Sequence, residues 1–433
     1  MLISSKIILC IIFILAAFEL SAQGSWININ SPVTTDLRIC CFTDENNAWA
    51  AGDEGVIIHS SDGGNTFELQ NSTINFYIND IYFLNSRLGW AVANEFLFSG
   101  TTILKTTNSG INWIGERFPD SSKFFKTIYF LDSLTGYMGG FAGAIYKTSN
   151  GGISWQENLI DSSEFSSYPV SKINFATPSL GFACGGYTDI AGVIWRTTNG
   201  GLSWNAGNYS SEPFYDIYIK NPLKIISAGG DFEYGVQLCY TSNSGTDWIY
   251  NTLGMFGQAY SIDFRTPREA WMPLGYSGTW AFSNDSGYNW VSIPVINNSE
   301  LYSVEFSDSL HGIAVGRGGV IMKYVPQIVQ VNNNNSEITS FKLYQNYPNP
   351  FNPTTNLEFG ISDLGFVSLK VYDVLGSEVV TLVNERKNAG TYRVEFDGSN
   401  LSSGVYFYKL VVSLSNPLAS EDYTAVKRMV LIR

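Results

Sequence analysis

The chain has 433 residues, of which 15% are aromatic, only 15% are charged and 41 are glycine. That profile argues against helical bundles and disordered tails and for all-β architecture with many tight turns, in a chain long enough for two or three domains. A net charge of −13 argues against phosphate-backbone binding, so no nucleic-acid partner is expected.

Residues 1–22 read as a signal peptide. Lys6 supplies the positive start, Ile7 to Phe18 an apolar run too short to span a bilayer comfortably, and Leu20-Ser21-Ala22 a small-residue end suited to cleavage between Ala22 and Gln23. No later stretch is long and apolar enough to cross a membrane, so no transmembrane segment is expected after signal removal. The remaining cysteines, Cys40, Cys41, Cys184 and Cys239, are too sparse for a disulfide scaffold and lack CxxC spacing. They are expected to be buried free thiols, with Cys40 and Cys41 facing opposite sides of one strand.

From residue 60 onward one turn recurs: Ser/Thr, any residue, Asp/Asn, any residue, Gly, two more, then Trp or Phe. Its Asp/Asn positions are Asp62, Asn108, Asn150, Asn199, Asn243 and Asp285, spaced 42 to 49 residues apart. This period fits a four-stranded propeller blade. Each turn follows three strand signals, as in Ile128-Tyr129-Phe130, Gly136-Tyr137-Met138-Gly139 and the run into Thr148. The turn residues suit a local structural task. The Asp/Asn and Ser/Thr side chains can accept backbone N–H groups, the glycine tolerates positive φ, and the aromatic covers the hairpin base. Four of the six carboxylate positions are Asn, which cannot act as a general acid or base, so these positions read as structural.

First-strand signals begin seven times, near Arg38, Asn79, Lys126, Ser171, Tyr215, Tyr260 and Tyr302, yet the turn occurs six times. The seventh unit stops at Val325 without a fourth strand, and Gly24-Ser25-Trp26-Ile27 matches the end of a repeat. Residues 25–29 are therefore expected to complete blade seven and close the ring, which would otherwise expose pairing edges. The expected organisation is a signal peptide over 1–22, a seven-bladed propeller over 23–326, an Asn-rich linker over 327–340 and a small β-sandwich over 341–433. The last region opens with Tyr347-Pro348-Asn349-Pro350-Phe351-Asn352-Pro353 and continues in short alternating strands.

The Ser/Thr-x-Asp-x-Gly-x-x-Trp turn resembles the Asp box of BNR-type propellers. The fuller unit, Gly136 to Trp155, is similar to the repeat of photosystem II assembly and stability factors. That resemblance covers about 26–325 and implies a seven-bladed propeller. It leaves function open, because the repeat also occurs in sialidases and sortilin-like receptors. Blade one departs with Phe67 in place of Trp. The C-terminal region resembles the sorting domain of type IX secretion cargo, on the residues 347–353, Val371-Tyr372-Asp373-Val374-Leu375-Gly376, Gly404 to Tyr408 and Lys427 to Leu431. This resemblance implies export across the outer membrane of a Bacteroidota-type bacterium through the type IX machinery, followed by release or attachment to the cell surface.

Only His59 and His311 exist, which argues against Ser-His-Asp and Cys-His centres and His-rich metal sites. No catalytic residue, cofactor or metal ligand is assigned. Sialidase activity would need three arginines on one face, and only Arg117 and Arg317 fall on the rim formed by the between-blade and second-to-third-strand loops. That rim is rich in aromatics, and Phe118, Phe165, Tyr168, Tyr187, Phe232, Tyr234 and Phe256 are its candidate binding residues for a protein or glycan. The alternative is a carbohydrate-active hydrolase, a glycosidase other than a sialidase, using rim carboxylates. A close carboxylate pair in a deep axial pocket would favour that alternative, and a shallow aromatic rim would favour a binder.

Overall fold

The computed structural model describes residues 24–95, 100–161, 164–326, 341–362, 364–414 and 423–432. The expected signal peptide over 1–22, its expected cleavage point between Ala22 and Gln23, and the expected linker over 327–340 lie outside the described residues. Residues 24–326 form seven sheets, six of four strands and one of five, here called blades one to seven in chain order. Apart from one extra strand in blade four and the outer strand of blade seven, each is an antiparallel meander. Blade two, for example, runs Tyr77–Phe83, Gly89–Asn94, Thr101–Thr106 and Ile114–Arg117. Blade four carries the extra strand, Leu159–Ile160, parallel to its outer strand Ser203–Ser210.

Blade seven takes its fourth strand from the N-terminus. Gly24–Ile29 pairs antiparallel with Ile321–Pro326, from Gly24 opposite Pro326 to Ile29 opposite Ile321. Blade seven also packs on blade one: Ile313, Val315 and Ile321 share a core with Leu37, Cys40 and Ile58. Cys40 faces that core, while Cys41 faces the next one, with Trp49, Ile81 and Phe83. All four described cysteines are buried and free.

The recurrent turn is built the same way six times. The Ser/Thr hydroxyl accepts the N–H of the glycine four residues on, at 2.8–3.1 Å. The Asp/Asn Oδ1 accepts the N–H four residues further along, at 2.9–3.1 Å. The hydroxyl in turn donates to that Oδ1, so both side chains are held by each other and by the backbone. The glycine has positive φ throughout, as in Gly152 at 91°.

The turn also joins neighbouring blades. Lys105 donates to the carbonyl of Gly151 at 2.8 Å, Lys147 to that of Gly200 at 2.7 Å, and Arg196 to that of Ser244 at 2.7 Å. Lys323 closes the circle by donating to Asn65 at 2.6 Å. A cation at the end of one blade's third strand thus caps the next blade's turn.

The C-terminal region is a two-sheet sandwich. One sheet holds Lys342–Leu343, Thr354–Ile361 and Gly390–Asp397. The other holds Gly365–Tyr372, Glu378–Lys387, Gly404–Leu414 and Tyr423–Leu431. Leu357, Phe359, Val367, Leu369, Tyr408 and Leu431 fill the core between them. The Pro-rich opening is tied down by buried Asn346, whose N–H donates to the Tyr408 hydroxyl and whose amide donates to the Pro348 carbonyl. Phe351 inserts into the same core.

Candidate binding face

The residues that open the first strand of each blade converge on the ring axis. Arg38, Asn79, Lys126, Ser171, Tyr215, Tyr260 and Tyr302, one from each blade, line an axial cavity of about 690 Å³. Arg38 and the three tyrosines touch one another in part. The Arg38 guanidinium lies 4.8 Å from the Tyr302 ring and 5.5 Å from that of Tyr77, and Tyr260 contacts Tyr215 and Tyr302 at 5.4 and 5.7 Å. A second hollow of about 570 Å³ shares Tyr77, Asn79 and Lys126 with the cavity. It spreads over the rim between Asp53, Phe76, Glu95 and Phe141. The position was legible in the repeat register, but nothing in a single repeat shows that the seven side chains meet.

Deeper in the cavity lie Asp80, Lys172, Asp216, Asp263 and Glu305. The carboxylates act as clasps between blades. Asp80 accepts from the N–H of Ile128, Asp216 from that of Ile262, Asp263 from that of Phe306, and Glu305 from that of Phe42. Ile128, Phe306 and Phe42 belong to the first strand of the following blade, and Ile262 directly precedes that of blade six. Asp80 also holds Lys172 at 3.0 Å. Burial pushes the Asp263 carboxyl up, against the backbone donors that lower it. Burial likewise pushes Glu305 up, and repulsion from Asp263 adds to the shift. Both move in the same direction, so their surroundings do not divide them into an acid and a base.

On the rim, Phe232, Phe256 and Tyr276 form an exposed cluster. Phe232 lies 5.6 Å from Phe256 and 5.9 Å from Tyr276, edge-on to the latter, and the three are 37%, 63% and 63% exposed. Arg317 lies over Tyr276 at 5.7 Å and pairs with Glu300 at 2.8 Å. Tyr276 is absent from the sequence-based candidates, although its place between the second and third strands of blade six is the signal that marks Phe232 in blade five. Phe165, Tyr168 and Tyr187 form a second chain of contacts at 5.6 and 5.3 Å, with Tyr187 exposed and the other two half-buried. Tyr234 is exposed on the same hairpin as Phe232.

Phe118 does not belong with them. It is buried against Phe125 and Tyr146, at 4.9 and 5.4 Å, in the core between blades two and three. Its N–H is drawn in by the Thr101 carbonyl, so the between-blade segment turns this ring inward. Arg117, next to it, pairs with Glu95 at 2.9 Å.

The six recurrent turns sit on the opposite rim. Each donates an N–H to the first-to-second-strand turn of its own blade, as Gly151 does to Leu134. Fold and repeat together define an Asp-box β-propeller followed by a β-sandwich.

Residues 19–165 match the family model for the photosynthesis system II assembly factor YCF48, and residues 345–416 match the secretion system C-terminal sorting domain. The chain thus carries an N-terminal stretch similar to the photosystem II assembly factor and a C-terminal stretch similar to the secretion sorting domain. It is 23% identical to the chloroplastic photosystem II stability/assembly factor HCF136 of Arabidopsis thaliana over 320 residues, covering 67% of this chain and 75% of that one. Among solved structures it is similar to YCF48 bound to a D1 peptide, with 21% identity, a TM-score of 0.56, and coverage of 69% of this chain and 96% of that one. A GH74 xyloglucanase from Xanthomonas campestris shares the fold at 10% identity and a TM-score of 0.54, over 78% of this chain and 59% of that one.

Proposed function

We propose that this chain is a secreted or surface-attached binding module whose propeller rim takes a protein or glycan. Its sorting domain directs export through the type IX secretion machinery of a Bacteroidota-type bacterium. In this reading residues 1–22 are removed between Ala22 and Gln23, 23–326 are the propeller, 327–340 the linker, and 341–433 engage the secretion machinery. The observation that carries the binding reading is the Phe232–Phe256–Tyr276 cluster. Three large rings from three separate loops stay exposed, with Phe232 in contact with the other two, outside any core. Such a surface offers flat apolar faces to a sugar ring or a peptide side chain, with Arg317 and Glu300 beside it as polar partners. The peptide-bound relative supports the protein side of this reading.

The second reading, a non-sialidase glycoside hydrolase, rests on Asp263 and Glu305. They interact with each other and line the axial cavity. Against it, both oxygens of Asp263 already accept backbone N–H groups, from Phe264 and Phe306.

The test uses the exported protein on panels of bacterial envelope polysaccharides and envelope proteins. A variant with Phe232, Phe256 and Tyr276 all changed to Ala should keep its melting midpoint and lose at least about tenfold in affinity. Undiminished binding removes the rim reading. Release of reducing ends by the wild type, abolished in Glu305→Gln, replaces it with the hydrolase.

A further inference from the structure

Three acids from distant parts of the sequence meet where blades four and five adjoin. Asp189 stands on the hairpin between the second and third strands of blade four, Glu212 on the between-blade segment, and Asp231 at the matching hairpin of blade five. One carboxylate oxygen from each lies within 4.8 Å of the others. Glu212 is fully enclosed and Asp231 is 5% exposed, while Asp189 opens to solvent.

The hydrogen bonds leave this group incomplete. Glu212 Oε2 accepts the N–H of Asp189 at 3.0 Å, which holds Asp189 in a left-handed conformation at φ 61°. Asp231 Oδ1 accepts the N–H groups of Glu233 and Tyr234 at 3.1 and 2.6 Å. Glu212 Oε1 is buried and has no hydrogen-bond partner. Among the described residues none of the three acids forms a salt bridge. Enclosing an unpaired carboxylate is costly unless a cation or further donors satisfy it. Among the described residues the charges acting on Glu212 are other carboxylates, Asp231, Asp189 and Glu233, and the unsatisfied oxygen belongs to the most enclosed acid.

We propose that Asp189, Glu212 and Asp231 bind a divalent cation of calcium's size. All-oxygen, carboxylate-rich ligation suits a hard cation, and a spread of up to 4.8 Å between ligand oxygens matches about twice a Ca–O distance of roughly 2.3–2.6 Å. Asp189, on the solvent side, supplies the entry path, and water can complete the shell there. The ion ties the blade-four and blade-five hairpins together, and the second of these carries Phe232. The site stands on the acids alone and does not depend on what the rim binds.

The test takes the full exported chain, stripped with EDTA, into calorimetric titration with CaCl₂ and into thermal melts with CaCl₂, MgCl₂ or KCl of equal ionic strength. Calcium should bind with an affinity of about 10⁻⁴ to 10⁻³ M, the range of extracellular modules, and raise the melting midpoint by about 2–4 °C. Glu212→Gln should abolish both effects. Asp189→Asn, at an exposed position that leaves the fold intact, should weaken binding about tenfold. The proposal is overturned if calcium at about ten times that range neither binds nor stabilises the wild type. It is also overturned if magnesium or KCl reproduces the shift, or if Asp189→Asn responds to calcium as the wild type does.

Discussion

Trp26 stacks on Trp280, with ring centroids 5.0 Å apart and planes inclined by 19°. The first residues of the described chain are thereby fastened to blade six as well as paired with blade seven. Trp271, Phe306 and Tyr324 surround the same indole edge-on or tilted, at 5.5–5.7 Å. Trp26 is 5% exposed, so its ring is the wedge that closes the circle.

Replacing Trp26 with Ala should therefore cost about 3–5 kcal/mol, the usual range for emptying a large aromatic site. Removing Gly24–Ile29 should cost more, because it also bares the ladder edge of Ile321–Pro326. Urea titration of the purified chain measures both, and an unchanged midpoint for Trp26→Ala contradicts the closure described here.

Asp62 tests the recurrent turn. Its partial burial works against ionisation, but hydrogen bonds from the Thr66 hydroxyl and N–H, from Ser60 and from the Asn65 N–H bring the carboxyl down to about 2. A lowered folded value means the stabilisation is complete above the ordinary carboxylate range and is lost as pH falls through about 2. Asp62→Asn should be within about 0.5 kcal/mol of wild type at neutral pH, since four other turns already use Asn, and should lack that acid-side loss. Asp62→Ala should cost about 1–2 kcal/mol by removing the acceptor of the Asn65 and Thr66 N–H groups.

The axial acids give the opposite pH dependence. Asp263 and Glu305 hold their protons in the folded protein at pH values where the unfolded chain has released them. Their contribution to stability is full at and below the ordinary carboxylate range and declines as pH rises into the neutral range. Thermal melts across that interval should fall more steeply for the wild type than for Asp263→Asn. Equal slopes would show that the cavity water solvates both groups fully.

Phe118 and Phe256 separate packing from recognition. Phe118→Ala should destabilise by about 3–4 kcal/mol, because the ring fills the core between blades two and three. Phe256→Ala, at a ring 63% exposed, should leave the melting midpoint within about 1 °C and weaken binding of any rim ligand. Reversed effects would mean that the rim cluster is structural.

The recurrent turn and the donated N-terminal strand were legible because they are local or repeat-encoded. A Thr, an Asn and a Gly at fixed offsets specify a hairpin whatever surrounds it, and a repeat that ends one strand short announces a partner elsewhere. The lysines that cap the next blade's turn stand just before the Ser/Thr of their own turn, at Lys105 and Lys147. The sequence shows their position, but their acceptors lie 46 and 53 residues away. Phe118 shows the reverse case. A ring in a between-blade segment looks available, and only the hydrogen bond from its N–H to Thr101 and the packing against Tyr146 turn it inward.

By itself the sequence determined an all-β ring of repeats, its hairpin chemistry, the identity of the closing strand and the presence of a separate sorting domain. These follow from residue types at short, repeated spacings. The tertiary structure decided which side chains from different blades share a space. It set the seven first-strand residues around one cavity, tied the axial carboxylates to neighbouring backbones, exposed the Phe232–Phe256–Tyr276 surface and gathered Asp189, Glu212 and Asp231. Each of these depends on the curvature that brings successive blades together, and no single repeat carries that information.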